Sequence, residues 1–193
     1  TVALPNTLTE IGPAVFQSCS KLENVTIPAG VTTIGEGAFA ECTALTSINI
    51  PYGVTRIEAD ALRATGLVSV EFHEGVTYFG AQAFRDCKQL KEVIINAPEF
   101  TVEANAFGVM SGAPGTTIYV ANAEMKAYLE STLAYASQFT IVAPNSVASK
   151  EDLPVENGKL DTNFDEDVNL YGDITVSANE TNANSSYGAT GVT

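Results

Sequence analysis

Hydrophobic residues recur along this chain with a fixed period of 22 or 23 positions. Shifting the stretch 38–57 back by 23 residues superimposes five apolar, cysteine and proline positions on their counterparts: Phe39 on Phe16, Cys42 on Cys19, Leu45 on Leu22, Ile50 on Ile27 and Pro51 on Pro28. A period of 20–30 residues, with Leu, Ile or Val at two- and three-residue spacings, is typical of a solenoid whose coils bury their apolar faces against one another. The pattern therefore predicts a repeat protein.

One segment of each repeat alternates apolar and polar residues, as a half-buried β-strand does. These segments occupy 22–27, 45–50, 67–72, 90–95 and 116–120, and we expect each to pair in parallel with its neighbours. The alternation leaves a set of side chains in solvent on one wall: Asn24, Thr26, Ser47, Asn49, Ser69, Glu71, Glu92, Ile94, Thr117 and Tyr119.

A turn with Pro or Gly follows the first strands, and the chain then returns along the opposite wall through short extended segments. These segments lie at 8–11, 31–34, 54–57 and 76–79. Each returning segment is followed by small residues and then a large one, a pattern for which we expect a tight helical turn. The large residues should stack as a spine: Phe16, Phe39, Leu62, Phe84 and Phe107. The third repeat is one residue shorter, which predicts a small kink there.

After Phe107 the repeat pattern ends and a helix is predicted to begin at Asn122, a residue type that favours the helix N-cap. One face of this helix carries Met125, Tyr128, Leu129 and Leu133. Together with the apolar segment 138–142 it is interpreted as a cap that covers the open end of the solenoid. A free-standing amphipathic helix is the alternative.

The composition changes at Ala143, which divides the chain into three parts. Residues 1–142 would be the solenoid with its cap, and 143–154, polar and with two prolines, would be a linker. Residues 155–193 would be a β-rich tail with a strand at 168–176, and could start a further module. Thr1 falls within a repeat, so we expect the natural protein to begin earlier.

The charge of the chain limits its partners. Among 193 residues, 23 acidic and 9 basic ones give a net charge of −14, which repels nucleic-acid phosphates and anionic lipids. No apolar run approaches the roughly 20 residues that a membrane-spanning helix needs, so we expect no membrane insertion of this segment. The three cysteines form no CxxC pair, and we expect free thiols, neither a disulfide framework nor a zinc site.

Catalytic and metal chemistry have little support. His73 is the only histidine and stands where earlier repeats have Pro, which predicts a surface turn residue and argues against a Ser/Cys–His–Asp arrangement. The acidic stretch 161–167 has oxygen ligands at alternate positions but lacks the glycine and glutamate of a calcium loop, so calcium binding and a solvated acidic loop both stay open. Glu71 and Glu92 could form a carboxylate pair, but nothing on an open sheet would desolvate them. We expect no enzyme and no cofactor.

The repeat has the form AF-x-x-C-x-x-L-x-x-I-x-I-P-x-x-V-x-x-I. It is carried by Ala38, Phe39, Cys42, Leu45, Ile48, Ile50, Pro51, Val54 and Ile57. Over about residues 2–142 it resembles the BspA-type leucine-rich repeats of surface proteins from host-associated bacteria. The segment 118–128 resembles that family's closing strand and helix, with Ala121 where Pro is usual. The ordinary leucine-rich repeat is matched less well, since Gly53 occupies its asparagine position.

This resemblance implies an α/β solenoid, a right-handed leucine-rich repeat superhelix of about five coils with a C-terminal capping helix. It also implies display outside the cell, adhesion to host proteins or to other cells, and no catalytic residues. We therefore expect a monomeric, non-catalytic binding module at the cell surface or outside the cell, with a host or cell-surface protein as its partner.

The predicted binding residues lie on the strand wall, most of them in its later coils: Ser47, Asn49, Ser69, Glu71, Glu92, Ile94, Thr117 and Tyr119. An inert, solvated sheet is the alternative for this wall, and the returning wall around Arg56 and Tyr78 is the other candidate surface. The alternative function is a structural spacer that displays a C-terminal domain. A binder should show a contiguous apolar or aromatic patch on one wall, whereas a spacer should be uniformly polar.

Overall fold

A computed structural model describes residues 2–108 and 115–144, together with two short strands further along the chain. The strands in chain order are β1 (Val2–Ala3), β2 (Glu10–Ile11), β3 (Val25–Thr26), β4 (Thr33–Ile34), β5 (Arg56–Ile57), β6 (Ser69–Phe72), β7 (Tyr78–Phe79), β8 (Glu92–Ile95), β9 (Thr101–Val102), β10 (Thr117–Val120), β11 (Thr140–Val142), β12 (Val155–Glu156) and β13 (Lys159–Leu160). One α-helix, α1 (Ala123–Thr132), and one 3-10 helix (Ala136–Gln138) lie between β10 and β11.

We call the wall formed by β1, β3, β6, β8, β10 and β11 the front wall. Its later part is a parallel sheet in the order β11-β10-β8-β6, and its first part is the parallel pair β1-β3. The predicted parallel pairing of successive coils is thus confirmed within each of these two parts. The strands are shorter than predicted because each repeat's leucine still belongs to the preceding turn, as the bond from the Leu22 amide to the Cys19 carbonyl shows.

The front wall is interrupted where the sequence predicted a kink. The segment 45–50 forms only an isolated bridge between Thr26 and Asn49, and it does not join β6 as a strand. The amides of Gly66 and Val68 still donate to the carbonyls of Cys42 and Thr46, so the coils stay linked at that edge. The missing residue of the third repeat therefore divides this wall into two parts.

We call the wall formed by β2, β4, β5, β7 and β9 the return wall. It is one continuous parallel sheet in the order β2-β4-β5-β7-β9. Four threonine hydroxyls each donate to the carbonyl of the threonine one coil earlier, at 3.2–3.3 Å; the donors are Thr32, Thr55, Thr77 and Thr101. This threonine ladder makes the return wall the more regular of the two.

The predicted helical turns before the large core residues are wrong. Around Phe16, Phe39, Leu62 and Phe84 these segments are turns with left-handed residues two positions before and two positions after the large residue, among them Ala14, Ser18, Asp60 and Ala64. Their amides donate to the next coil, for example from Phe16 to the Ala38 carbonyl at 2.8 Å. A helix would use these amides within the turn, so the need to bond to the neighbouring coil excludes it. We call this third face the turn wall.

The aromatic spine is present and lies in the core. Phe16 stacks on Phe39 at 5.2 Å between ring centroids, and Phe84 stacks on Phe107 at 4.8 Å. Leu62 is buried and occupies the same repeat position in the coil between these two pairs. Phe139, which follows the 3-10 helix, extends the spine by packing against Phe107 at 5.6 Å.

Helix α1 lies over the last coil on the return side. Asn122 is its N-cap, with Oδ1 accepting from the Met125 amide at 2.8 Å. The hydroxyl of Tyr128 accepts from the Val102 amide at 3.2 Å, at the open edge of β9. The amide of Ala134 donates to the Ala104 carbonyl at 2.7 Å. These contacts satisfy backbone groups that an uncovered sheet edge would leave unpaired.

The domain boundaries stay predictions. Strands β12 and β13 pair antiparallel, with Val155 opposite Leu160. The acidic stretch 161–167, the strand at 168–176 and nearly all of the linker lie outside the described residues.

Two of the three cysteines are buried, and all three are free thiols. The Sγ of Cys42 donates to the Phe16 carbonyl at 3.0 Å, and that of Cys87 donates to the Leu62 carbonyl at 3.1 Å. Burial raises the pKa of the Cys42 thiol to about 11, and Cys19 one coil earlier adds to this shift. Burial likewise raises the pKa of Cys87. The repeat cysteines at 42 and 87 are therefore core residues, whereas Cys19 is exposed.

Replacing Phe84 by Ala should lower the free energy of unfolding by about 3–5 kcal/mol, because its ring is fully buried against Phe72, Phe79 and Phe107. Phe16, which packs against a single ring, is the matched control and should cost less. Urea unfolding followed by circular dichroism measures both. Equal costs would show that the additional ring contacts of Phe84 do not contribute to stability.

In the native chain, a disulfide reagent at pH 8 should modify Cys19 quickly and Cys42 and Cys87 only after unfolding. The reason is that burial shields both thiols from the reagent and raises the pKa of each. With a pKa of about 11, the Cys42 thiol is thiolate in only about a thousandth of molecules at that pH. Cys19→Ser is the control and should abolish the fast reaction. Three fast thiols in the native state, or fewer than three in denaturant, would contradict this assignment.

Candidate binding surface

The structure places six of the eight predicted binding residues on three neighbouring strands of the front wall. Strand register aligns them in two rows that cross the sheet, and β11 extends both. The polar row is Ser69, Glu92, Thr117 and Thr140; the second row is Glu71, Ile94, Tyr119 and Val142. These side chains share the solvent face because they alternate with the buried Val70, Val93 and Ile118.

The other two predicted residues are not brought to this surface. Ser47 and Asn49 are exposed, but they lie in the earlier part of the front wall. Strand β6 pairs with β8 and not with the segment that holds Asn49. The interruption caused by the short third repeat therefore separates them from the two rows.

Three members of the second row form an apolar strip, which we call the apolar row: Ile94, Tyr119 and Val142. Tyr119 lies directly opposite Ile94 on one side and Val142 on the other. Its side chain is 37% exposed, and its two neighbours are half-buried. Sequence reasoning missed Thr140 and Val142 because it assigned their segment only to the cap, although Thr-Ile-Val there has the same alternation as the other strands.

Two carboxylates flank the apolar row. Glu71 lies opposite Ile94, at the end of the apolar row. Glu92 lies diagonally across from Glu71 in the neighbouring strand. Glu71 accepts a hydrogen bond from the Asn96 side-chain amide, Nδ2, at 2.9 Å. Among the described residues, no Lys or Arg forms an ion pair with either glutamate. The C-terminal part of the front wall thus presents negative charge beside exposed apolar area.

On the return wall, the other candidate surface, charged side chains around Arg56 and Tyr78 pair with residues of the same wall. The Arg56 guanidinium lies 4.1 Å from the centroid of the Tyr78 ring and pairs with Glu58 at 2.6 Å. The Tyr78 hydroxyl donates to Glu103 at 3.3 Å. Burial raises the pKa of Tyr78, and the Glu103 carboxylate adds to the rise. Arg56 and Tyr78 are therefore already engaged with each other.

The turn wall carries a second internal network. Ser18 and Arg63 each donate to Glu41 at 2.8 Å, and Arg63 also pairs with Asp60 at 3.0 Å. These hydrogen bonds, the one from Ser18 first, lower the pKa of Glu41. A shallow depression of about 310 Å³ lies beside this network and is lined in part by Glu36 and Asp60. The network of Ser18, Glu41 and Arg63 links three successive coils.

Sequence reasoning also missed an aromatic pair at the end of the front wall. Tyr52 is 81% exposed, and its ring stacks on the His73 imidazole at 4.6 Å. Nδ1 of His73 accepts from the Gly75 amide at 3.3 Å, which leaves Nε2 to donate to the Pro51 carbonyl. His73 is thus a turn residue, as predicted. An aromatic residue inside the Pro-Tyr-Gly turn was the pattern that could have indicated the pair.

The described residues show neither a cluster of His, Cys, Asp or Glu that could hold a metal ion nor a helix with the length and apolar character of a membrane span. Glu71 and Glu92 lie on an open sheet rather than in a cleft. The arrangement offers contact area and charge, which suit binding of a macromolecular surface.

Three solved structures share this fold. A leucine-rich repeat protein from Bacteroides ovatus is 34% identical, with a TM-score of 0.52 over 60% of this chain and 30% of that one. The leucine-rich repeat protein TpLRR of T. pallidum is 24% identical, with a TM-score of 0.52 over 61% and 57%. The pneumococcal vaccine antigen PcpA is 22% identical, with a TM-score of 0.52 over 72% and 40%.

At the identities of the last two proteins, the likeness shows the fold alone. This chain spans 30%, 57% and 40% of the lengths of the three solved chains, in the order given. Among curated proteins, none matches this chain.

The family model of the BspA type leucine rich repeat region matches residues 1–112 with six copies. The repeat pattern indicated about five coils, whereas six copies match the family model. Strands β1 and β2 already pair in register with the following coil. The stacked coils, the parallel walls and this match lead to one conclusion: the chain belongs to the BspA-type leucine-rich repeat family.

Proposed function

We propose that this chain is a non-catalytic module that binds a host or cell-surface protein through the C-terminal part of its front wall. The observation that carries the proposal is the apolar row, in which Ile94, Tyr119 and Val142 lie side by side on the solvent face of adjacent strands. A structural spacer would have a uniformly polar wall, and this row is what favours a binder.

Tyr119 is suited to be the anchor of such an interface. Its ring is partly exposed, and Ile94 and Val142 lie opposite it on the two adjacent strands. A tyrosine loses little side-chain entropy on binding because it has only two torsions to fix, and tyrosines are common at the energetic centres of interfaces. Glu71 and Glu92 would form the polar rim and select for a partner of complementary charge.

We also propose that the module is monomeric and acts outside the cell or on its surface. Support comes from the resemblance to surface proteins of host-associated bacteria, and from the vaccine antigen among the structurally similar proteins. The net charge of −14 favours a protein partner over nucleic acid or anionic lipid. Binding through an open sheet needs no cofactor.

The proposal predicts that the triple variant E71A/E92A/Y119A captures its partner more than tenfold more weakly, a loss of about 1.4 kcal/mol. The full chain is immobilised, proteins are captured from host extracellular matrix, and the affinity for each captured protein is then measured with the unmodified chain and the variant. Thermal unfolding of both checks that the fold is intact, as expected for side chains on the solvent face.

The matched control changes the same residue types on the return wall: E58A/E103A/Y78A. It should leave capture unchanged while removing the same charge and ring. Loss of capture by this control alone would move the binding site to the return wall. Full capture by both variants would exclude both walls, and an unmodified chain that captures nothing would favour the spacer.

A further inference from the structure

Tyr52 is the most exposed of the large hydrophobic residues in the described part of the chain, at 81%. One face of its ring rests on His73, with an angle of 27° between the ring planes. The other face is open to solvent, as the exposed fraction requires. We call this arrangement the Tyr52–His73 platform.

The platform is held in place from below. His73 is half-buried, and both of its ring nitrogens are engaged, one with the Gly75 amide and the other with the Pro51 carbonyl. The imidazole therefore cannot rotate without losing two hydrogen bonds. A ring stacked on such a support is displayed in one orientation, which lowers the entropic cost of binding to it.

Negative charge surrounds the platform. Glu71, on the outward face of β6, lies two residues before His73, and its carboxylate accepts from the Asn96 side-chain amide of the following coil. Glu74, the next residue after His73, is exposed. Among the described residues neither glutamate pairs with a Lys or Arg. An aromatic face beside unpaired carboxylates is the setting in which a cation gains from both the ring and the charge.

The return wall contains a similar arrangement in which the cation is present. On the return wall, the Arg56 guanidinium lies over the Tyr78 ring at 4.1 Å and pairs with the Glu58 carboxylate. Tyr52 has the ring and the neighbouring carboxylates, but His73 occupies only one of its faces. The equivalent of the Arg56 guanidinium would lie above the free face of Tyr52.

We propose that the Tyr52–His73 platform binds an arginine side chain of the protein partner, stacked on the free face of Tyr52 and paired with Glu74. This inference rests on the proposed function in that the partner is taken to be a protein. Arginine is preferred to lysine because its planar guanidinium stacks on an aromatic face and pairs with a carboxylate at the same time. The platform adjoins the apolar row through Glu71, so one partner can contact both.

The test uses the full chain with labelled tyrosine rings and the peptide Ac-Gly-Arg-Gly-NH2 at low ionic strength. The matched ligand replaces arginine with citrulline, which keeps the shape and removes the charge. Nuclear magnetic resonance should show the arginine peptide shifting the Tyr52 ring signals, with an affinity at least threefold above that of the citrulline peptide. An exposed interaction between a cation and an aromatic ring accounts for a difference of this size.

Three variants locate the interaction. Y52L and E74Q should each weaken binding of the arginine peptide at least twofold, whereas Y119L, which removes a different exposed tyrosine, should leave it unchanged. H73P restores the residue found at the same position in the two preceding coils, Pro28 and Pro51, and removes the imidazole beneath the ring. Because His73 positions the Tyr52 ring, H73P should shift the Tyr52 ring signals in the free protein. It should also weaken binding of the arginine peptide at least twofold.

Equal effects of the two peptides on Tyr52 would overturn the proposal, since the ring would then be a stacking surface without selectivity for a cation. Shifts confined to other tyrosines would also overturn it. These outcomes are separate from the test of the proposed function, because the peptide experiment follows the Tyr52 ring without any partner, and the capture variants retain Tyr52, His73 and Glu74.

Discussion

Backbone hydrogen bonding between successive coils is the constraint on which this structure depends. Each coil forms these bonds on three faces: the front wall, the return wall and the turn wall. The bonds hold equivalent positions of neighbouring coils in register, so a side chain always meets its own counterpart one repeat away. This is why the core consists of columns, such as the phenylalanine spine and the threonine ladder, rather than of one central cluster.

The same constraint explains what could be predicted from sequence. The period, the parallel pairing of neighbours and the buried columns follow directly from residue types that recur every 22 or 23 positions. The turn wall could not be predicted in the same way. Small residues before a large one fit a helical turn equally well, and only the demand for amides that reach the next coil selects left-handed residues such as Ala14 and Asp60.

The arrangement of the candidate binding surface was predicted in part, for a related reason. Alternation along a single strand shows which side chains face solvent, so Glu71, Ile94 and Tyr119 could be assigned from the sequence. Whether neighbouring strands place such residues side by side depends on pairing, which the short third repeat interrupts after Asn49. The stacking of Tyr52 on His73 joins residues of two different turns, and no periodicity within one coil reveals it.

The bonds of the turn wall all point the same way along the solenoid. Amides of one coil donate to carbonyls of the following coil, from Phe16 to Ala38, from Phe39 to Ala61, from Leu62 to Ala83 and from Phe84 to Ala106. Aligned peptide dipoles add, as they do in an α-helix. The turn wall therefore carries a dipole along the stacking axis with its positive end toward the C-terminus, opposite to the polarity of an α-helix. Stacked coils thus have an electrical direction, and the C-terminal end of this face is where an anion would be stabilised.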